Sequence, residues 1–181
     1  MFAKLKRIIR EWIGAAPISI HTTAWALNEG LQLGERVDLV SPPDFGSEPY
    51  LIKIGDDTTI SSNCAFITHD AATRVIRRLP DGDPETGYFG PIIVGKNCFV
   101  GYRTTILAGV TKGDNTIIGA CSLVNRDIPS NVVAAGVPCK VICTLDEYRA
   151  KHKDDFMYMN SLPYEEKKAY LLRYFEKDLL I

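Results

Sequence analysis

Among the side chains suited to moving a proton near neutral pH, this 181-residue chain holds His21, His69 and His152. His69 stands apart by its setting. It closes the stretch Ser62-Asn63-Cys64-Ala65-Phe66-Ile67-Thr68-His69-Asp70, directly before a polar, turn-rich run. That run carries Arg74, Arg77, Arg78, Asp81, Asp83 and Glu85 among Pro80, Gly82, Pro84, Gly87, Gly90 and Pro91. A histidine on an outer face beside a long loop is placed for general acid–base chemistry. The plainer reading is an incidental surface histidine. Asp70 either orients the imidazole or caps the loop through backbone hydrogen bonds. His21 and His152 have no motif around them and read as structural or surface residues. The five cysteines show neither a CxxC pair nor zinc-ligand spacing. Cys64 and Cys98 read as small core residues in a reducing compartment.

The element that must hold His69 is a repeat. From Val94 to Pro129 the chain divides into VGKNCF, VGYRTT, ILAGVT, KGDNTI, IGACSL and VNRDIP. The first positions are Val94, Val100, Ile106, Lys112, Ile118 and Val124. Glycine fills the second position at 95, 101, 113 and 119, and the fifth is small or β-branched throughout, Cys98 to Ile128. A fixed period of this kind marks a repeat architecture. Three hexads make one flat-walled triangular coil of eighteen residues, and stacked coils bury a core that no single coil can bury. The lead residue and the small fifth residue point inward. Glycine after the lead relieves backbone crowding and tolerates unusual φ. The pattern is clear from Ile54 through Phe66 and resumes at Val94, which makes residues 72–93 a 22-residue excursion. An excursion of that length in a compact domain points to function. His69 falls on the fourth, outward position of its hexad, and Gly109 shares that position and face, two coils along. Lys112 breaks the rule for lead residues. An unpaired buried ammonium is costly, so the wall bends there, the lysine snorkels out, or the site is altered.

Length, 46% hydrophobic and 24% charged residues suit one domain over 1–181 with a sizeable core. A net charge of −1 gives no basic field for nucleic acid. No apolar run reaches membrane-span length, and charges interrupt the N-terminal stretch, against a cleavable signal peptide. Residues 1–16 hold an amphipathic basic helix with Phe2, Leu5, Ile8, Ile9, Trp12 and Ile13 on one stripe. It either covers the open end of the prism or makes a peripheral membrane contact through residues 2–13. Residues 18–143 form the prism. Ser41–Gly46 reads as a loop within it. Two helical segments follow, at roughly 145–159 and 163–179, with Tyr170, Leu171, Tyr174 and Phe175 as an apolar face.

The aliphatic–Gly–x–x–small–x run resembles the hexapeptide-repeat, left-handed parallel β-helix acyltransferases. The Ser62–Asp70 segment looks like that of the galactoside, maltose, xenobiotic and capsular-sugar acetyltransferase group, and the resemblance is strong over 52–143. It implies a mainly β fold, a left-handed parallel β-helix with an excursion loop and terminal helices. It implies a cytoplasmic enzyme of polysaccharide biosynthesis that moves an acetyl group from acetyl-CoA to a sugar or glycan hydroxyl. His69 would be the general base in a direct transfer, with the main-chain N–H of Tyr102 meeting the oxyanion. Asp70 would be its accessory. Phe99, Gly101, Ala120, Asn125, Arg126 and Lys140 would contact coenzyme A. Gly101, like Gly119, lets backbone approach closely, and Lys140 closes Ala134-Ala135-Gly136-Val137-Pro138-Cys139-Lys140, which matches the family run A-x-G-x-P-x-[KR]. Phe99 stands where the family often has Trp, so a donor through an indole N–H is lost. The resemblance further implies a homotrimer of parallel prisms with the site between subunits, no metal and no nucleic acid. N-acetylation of an amino-sugar nucleotide and xenobiotic acetylation use the same base and stay open. Histidine-ligated zinc chemistry on the same prism lacks its ligand cluster. A non-catalytic scaffold would leave His69 without a role.

Overall fold

The structure, a computed structural model, describes residues 23–179; the amphipathic stretch 2–13 and His21 lie outside them. The described residues fall into two compact units, the first ending at Tyr148 and the second beginning at Arg149.

The first unit opens with helix α1 (Thr23–Asn28) and continues as a three-walled parallel β-prism. Wall A contains β1 (Gln32–Leu33), β3 (Ile52–Ile54), β6 (Ile92–Val94) and β9 (Thr111–Lys112). Wall B contains β2 (Asp38–Leu39), β4 (Thr59–Ile60), β7 (Phe99–Val100), β10 (Ile117–Ile118), β12 (Val132–Ala135) and β13 (Lys140–Thr144). Wall C contains β5 (Ala65–Ile67), β8 (Thr105–Leu107) and β11 (Leu123–Val124). Thr111 pairs with Ile93, Phe99 with Ile117, and Ile106 with Val124, each eighteen residues apart. Across the excursion Ile54 pairs with Val94, forty apart, which is one eighteen-residue coil plus the 22 extra residues.

The coils at the two ends depart from eighteen. Leu33 pairs with Ile54 and Leu39 with Ile60, both at a separation of 21, and a 3-10 turn at Pro49–Leu51 takes up the surplus. Residues 41–46 are therefore part of the prism and not only a loop. Asp44 bridges Ala65, and Phe45 is fully buried with its ring stacked 5.4 Å from that of Phe66. At the far end Lys112 bridges Ile128 and Ile117 pairs with Val133, both at sixteen. Ile128, expected in a small fifth slot, is thus the lead residue of a shortened coil. The sequence Ala134–Lys140 then reverses, and β13 pairs antiparallel with β12, a change of direction that covers a parallel edge.

Lead residues Ile54 through Val124 form the core as expected, and the fifth residues are buried beside them. The fifth slot needs more than small size. Thr58 Oγ1 donates to the Gly95 carbonyl at 3.0 Å, Thr104 Oγ1 to that of Gly119 at 3.3 Å, and Cys64 Sγ to that of Gly101 at 3.3 Å. A compact donor in this slot stitches one coil to the carbonyl of the next.

Of the two causes expected for the glycine rule, backbone crowding holds and unusual φ does not. A Cβ on Gly101 would lie 2.6 Å from Ala120 N and 2.7 Å from Ile118 O, so the second position is glycine because the next coil presses on it. The left-handed backbone falls two residues later. Asp57, Asn63, Asn97, Arg103, Asn115, Cys121 and Asn131 have φ between 49° and 62°. Asparagine tolerates that region at small cost, and Asn97, Asn115 and Asn131 link in a side-chain ladder at 2.8 and 2.9 Å.

Lys112 stays inside. Its wall is paired without a break, Val94 with Lys112, and the side chain is 1% exposed, so it neither snorkels nor sits on a bent wall. Its Nζ donates to the Thr116 carbonyl at 3.2 Å. Burial lowers its pKa, opposed by the nearby thiols of Cys98 and Cys139.

In the second unit α3 (Leu145–His152) reaches its end, followed by α4 (Tyr164–Tyr174) and α5 (Glu176–Leu179). The first helix stops seven residues before the expected 159, where His152 Nδ1 meets Asp155 Oδ2 at 3.0 Å. Glu165 and Glu166 in the first turn of α4 and Arg173 in its last suit the helix dipole. Tyr170, Tyr174 and Phe175 pack on one another and remain exposed. Among the described residues no helix is long and apolar enough to cross a membrane.

Candidate active site

His69 stands where the chain leaves the prism. Phe66 and Thr68 are fully buried and anchor the end of wall C. Instead of turning the corner, the chain forms a short antiparallel stem. Asp70 N donates to Tyr88 O and Gly90 N to Thr68 O, each at 2.9 Å, and His69 bridges Phe89. The excursion is therefore tied off at 68–70 and 88–90, and wall A restarts at Ile92. Its outgoing arm continues into the one-turn helix α2 (Thr73–Ile76). The return strand passes so close to the next coil that a Cβ on Gly90 would lie 2.5 Å from Gly109 N. The pairing of Phe66 with Ile106 puts Gly109 one coil from His69, not two.

The imidazole is held on both sides. The Phe89 ring lies 5.9 Å away, tilted. His69 Nδ1 is 2.8 Å from Glu48 Oε2, and Thr68 Oγ1 donates to the same oxygen at 2.8 Å. The Glu48 side chain is 14% exposed and that of His69 is 37% exposed. Burial works against the Glu48 charge, but hydrogen bonds from His69, Thr68 and Ser47 outweigh it and hold the carboxyl below its ordinary range. A carboxylate at Nδ1 fixes the tautomer with the proton there and leaves the Nε2 lone pair free. Among the described residues no side chain occupies Nε2. An imidazole so arranged can take a proton from an approaching hydroxyl and carry the resulting charge beside Glu48.

Sequence reasoning missed Glu48, though the signal was present. Leu33, Leu39 and Phe45 recur at six residues, so Glu48 is fourth in its hexad, as His69 is after Phe66. The extra three residues of that coil hid the register. Asp70 does not take the orienting place. Its Oδ1 accepts from Ala72 N at 2.8 Å and its carbonyl accepts from Thr73 Oγ1 at 3.0 Å, so it closes the turn that leads into α2. It is exposed because the chain has already left the coil, which frees it from the fifth-slot rule.

Two cavities meet at His69. One, about 190 Å³, lies toward the excursion and is lined by Glu48, Arg74, Arg77, Gly87 and Phe89 among others. The other, about 480 Å³, runs along the outer face of wall C past Ile67, Leu107, Ala108 and Asn125. Thus His69, Asp70 and Asn125 come together within one chain. Phe99, 42% exposed on β7, Gly101, Tyr102 and Ala120 belong to wall B and its corner with wall C and line neither cavity. Arg126 and Lys140 are exposed and also lie outside both.

The Tyr102 N–H has no hydrogen-bond partner among the described residues, and the coil explains why. The N–H groups of Glu35, Lys96 and Asp114, also third in their hexads, are met by Asp56, Asp114 and Ser130 of the next coil. Opposite Tyr102 the next coil offers Ala120, which has no acceptor. The described residues hold no group of three His, Cys, Asp or Glu side chains able to share a metal ion.

No family model matches the chain. It is 41% identical over 151 residues to protein CapG of Staphylococcus aureus, covering 82% of this chain and 86% of that protein. It is 42% identical over 106 residues to galactoside O-acetyltransferase of Escherichia coli K12, covering 58% of this chain and 49% of that protein. Among solved structures, galactoside acetyltransferase in complex with coenzyme A superposes with a TM-score of 0.51 at 27% identity, over 76% of this chain and 74% of that one. A hexapeptide-repeat acetyltransferase from Vibrio cholerae shares the fold, with a TM-score of 0.51 at 22% identity over 79% and 89%. Repeat, prism and relatives agree: the chain belongs to the hexapeptide-repeat, left-handed parallel β-helix acyltransferases.

Proposed function

We propose that the protein transfers the acetyl group of acetyl-CoA to a hydroxyl of a sugar or glycan, with His69 as general base. The observation that carries this is the Glu48–His69 pair at 2.8 Å, with an imidazole that lines two cavities and whose Nε2 has no side-chain partner among the described residues. The coenzyme A complex of the galactoside acetyltransferase supports the donor.

In this reading His69 Nε2 takes the acceptor's hydroxyl proton as its oxygen attacks the thioester carbon. Glu48 stabilises the imidazolium that forms. The oxyanion is met by a main-chain N–H, that of Tyr102, left without a partner by Ala120. Collapse breaks the carbon–sulfur bond, and the departing thiolate recovers the proton from His69. No covalent enzyme intermediate is needed.

Tyr102, Phe99, Gly101 and Ala120 lie on other surfaces of the same chain than His69. The reading therefore requires a second subunit whose wall B faces His69, as in a closed trimer of prisms. Asn125, on the wall C cavity, with Arg126 and Lys140, would hold the coenzyme. A cytoplasmic setting follows from the use of acetyl-CoA. The test is release of free thiol from acetyl-CoA in the presence of a panel of sugars. His69→Ala should abolish acceptor-dependent release while keeping the wild-type melting profile and oligomeric mass. Equal turnover of an identified acceptor by both proteins would overturn the assignment.

A further inference from the structure

The cavity on the excursion side of His69 has a composition that a neutral sugar does not call for. Arg74 and Arg77 both line it. They stand three residues apart on and just after α2, a spacing that turns two side chains to one face. Arg77 is half-buried, and its Nε donates to the Thr86 carbonyl, so the guanidinium is held in place by the far side of the excursion. Arg74 is exposed at the rim. Among the described residues, neither guanidinium pairs with a carboxylate.

The two acids that share the cavity are otherwise engaged. Glu48 Oε2 accepts from His69 and Thr68, and Asp70 Oδ1 accepts from Ala72 N. The remaining acids of the excursion, Asp81, Asp83 and Glu85, do not line it. Two guanidinium groups without a carboxylate partner among the described residues, one of them tied through Nε to Thr86, line a space that also holds the proton acceptor and form a receptor for an anion with two or more oxygens. Phe89 and Gly87 supply a flat apolar patch and room beside it, the usual complement for a sugar ring.

Resting on the acetyl-transfer reading, we infer that the acceptor is an acidic sugar, whose carboxylate or phosphate is bound by Arg74 and Arg77 while a hydroxyl of the same or the adjoining residue reaches His69. Hexuronic acids and sugar phosphates share this chemistry, and the assay separates them. Arg77 is the fixed contact and Arg74 the adjustable one, because only Arg77 is tied to the loop.

The experiment has a catalytic and a binding arm, both on the full chain. In the first, thiol release is followed with glucuronic acid, glucose 1-phosphate and glucose as their methyl glycosides or free forms, and with oligosaccharides containing the first. An acidic acceptor should exceed its neutral counterpart by about 10- to 100-fold in kcat/KM, the range of a charge-assisted contact. Arg74→Gln should remove most of that advantage through the acceptor KM, and Arg77→Lys should do so while keeping the charge. Both should leave the acetyl-CoA KM unchanged. In the second arm, calorimetry measures the same probes with His69→Ala, in which transfer is absent. Acidic probes should bind, and adding Arg74→Gln should weaken them about tenfold or more.

Preference for neutral acceptors, equal losses on neutral and acidic acceptors, or a rise confined to the acetyl-CoA KM would each overturn the inference. The last would assign the arginines to coenzyme phosphates. Transfer to neutral sugars alone leaves the acetyl-transfer reading standing and this one refuted. Arginine-dependent binding of acidic probes without any transfer leaves the anion site standing but refutes the acetyl-transfer reading, and with it the site's role in holding an acceptor.

Discussion

Replacing Lys112 should stabilise the protein, and the structure bounds the gain. The side chain is 1% exposed, between Val94 and Ile128 on the inner face of wall A. Its amine has one backbone acceptor, Thr116 O at 3.2 Å. That carbonyl also accepts from Phe99 N at 2.9 Å, so removing the amine leaves no orphan acceptor. What is lost is that modest hydrogen bond and a weaker one with the Cys98 thiol, and what is relieved is the burial of an amine in the core. Those opposing quantities leave a gain of about 2 kcal/mol for an aliphatic replacement. For a chain of this size that is a rise in Tm of about 4–8 °C. Lys112→Met keeps the length and Lys112→Ile restores the repeat, so at least one avoids a packing penalty.

The pH dependence is a second, independent reading of the same site. Burial holds the folded-state pKa of Lys112 below the unfolded value, so the unfolded chain binds the extra proton. Stability from this group therefore rises as pH climbs through that lowered value toward the ordinary lysine range. The variants should lose that rise. Urea unfolding at pH 7 and pH 9.5, at one protein concentration, measures both effects. If both variants melt at or below wild type, or if the alkaline rise survives in them, the core lysine is fully accommodated and the reasoning fails.

Other consequences can be measured as directly. Glu48→Gln should lower kcat about 10- to 100-fold by loosening the tautomer of His69 while leaving the acetyl-CoA KM alone; a change in KM only would reduce Glu48 to a scaffold residue. Because the Glu48 carboxyl is held below its ordinary range, its stabilising contribution is complete at neutral pH and is lost only as pH falls through that lowered value. The stability difference between wild type and Glu48→Gln should therefore be flat from pH 8 to about the ordinary carboxylate range and shrink below it. Gly101→Ala should cost about 1–3 kcal/mol, since its new carbon meets backbone of the next coil and nothing there can rotate away. At Asn97, with φ of 49°, Asn97→Val should cost about 1–2 kcal/mol and Asn97→Gly much less.

The central coils were legible in the sequence because every inner position but Lys112 obeys one rule at one period. From Ile54 to Val124 the lead residues announce themselves, and the 22-residue excursion could be measured from them. Legibility failed where the period changed. The 21-residue coil put Phe45 and Glu48 out of step with sixes counted back from Ile54, so a buried lead residue looked like loop and the partner of His69 went unseen. The sixteen-residue coil likewise made Ile128 look like a fifth residue. Asp70 was ambiguous for a different reason. Its role depends on whether the chain turns the corner at His69 or leaves it, and hydrogen bonds to Tyr88 and Gly90 decide that from twenty residues away. The free N–H of Tyr102 rests on an absence opposite it, Ala120, which no pattern of residue types advertises.

The excursion can also be weighed as a matter of chain entropy. Most strand pairs in the prism join residues sixteen to 21 apart, and only those crossing the excursion, such as Ile54 with Val94, span forty. Lengthening a closure from eighteen residues to forty costs only about 0.7 kcal/mol, because the penalty grows with the logarithm of loop length. The stem at 68–70 and 88–90 lowers it further, since it closes its own short loop before wall A has to find its register. A prism of this kind can therefore carry a site-building insertion at a corner for less than the loss of one core methylene, about 0.8 kcal/mol. Corners are where such a chain can be extended with little loss of stability, and His69 sits on the one this protein has extended.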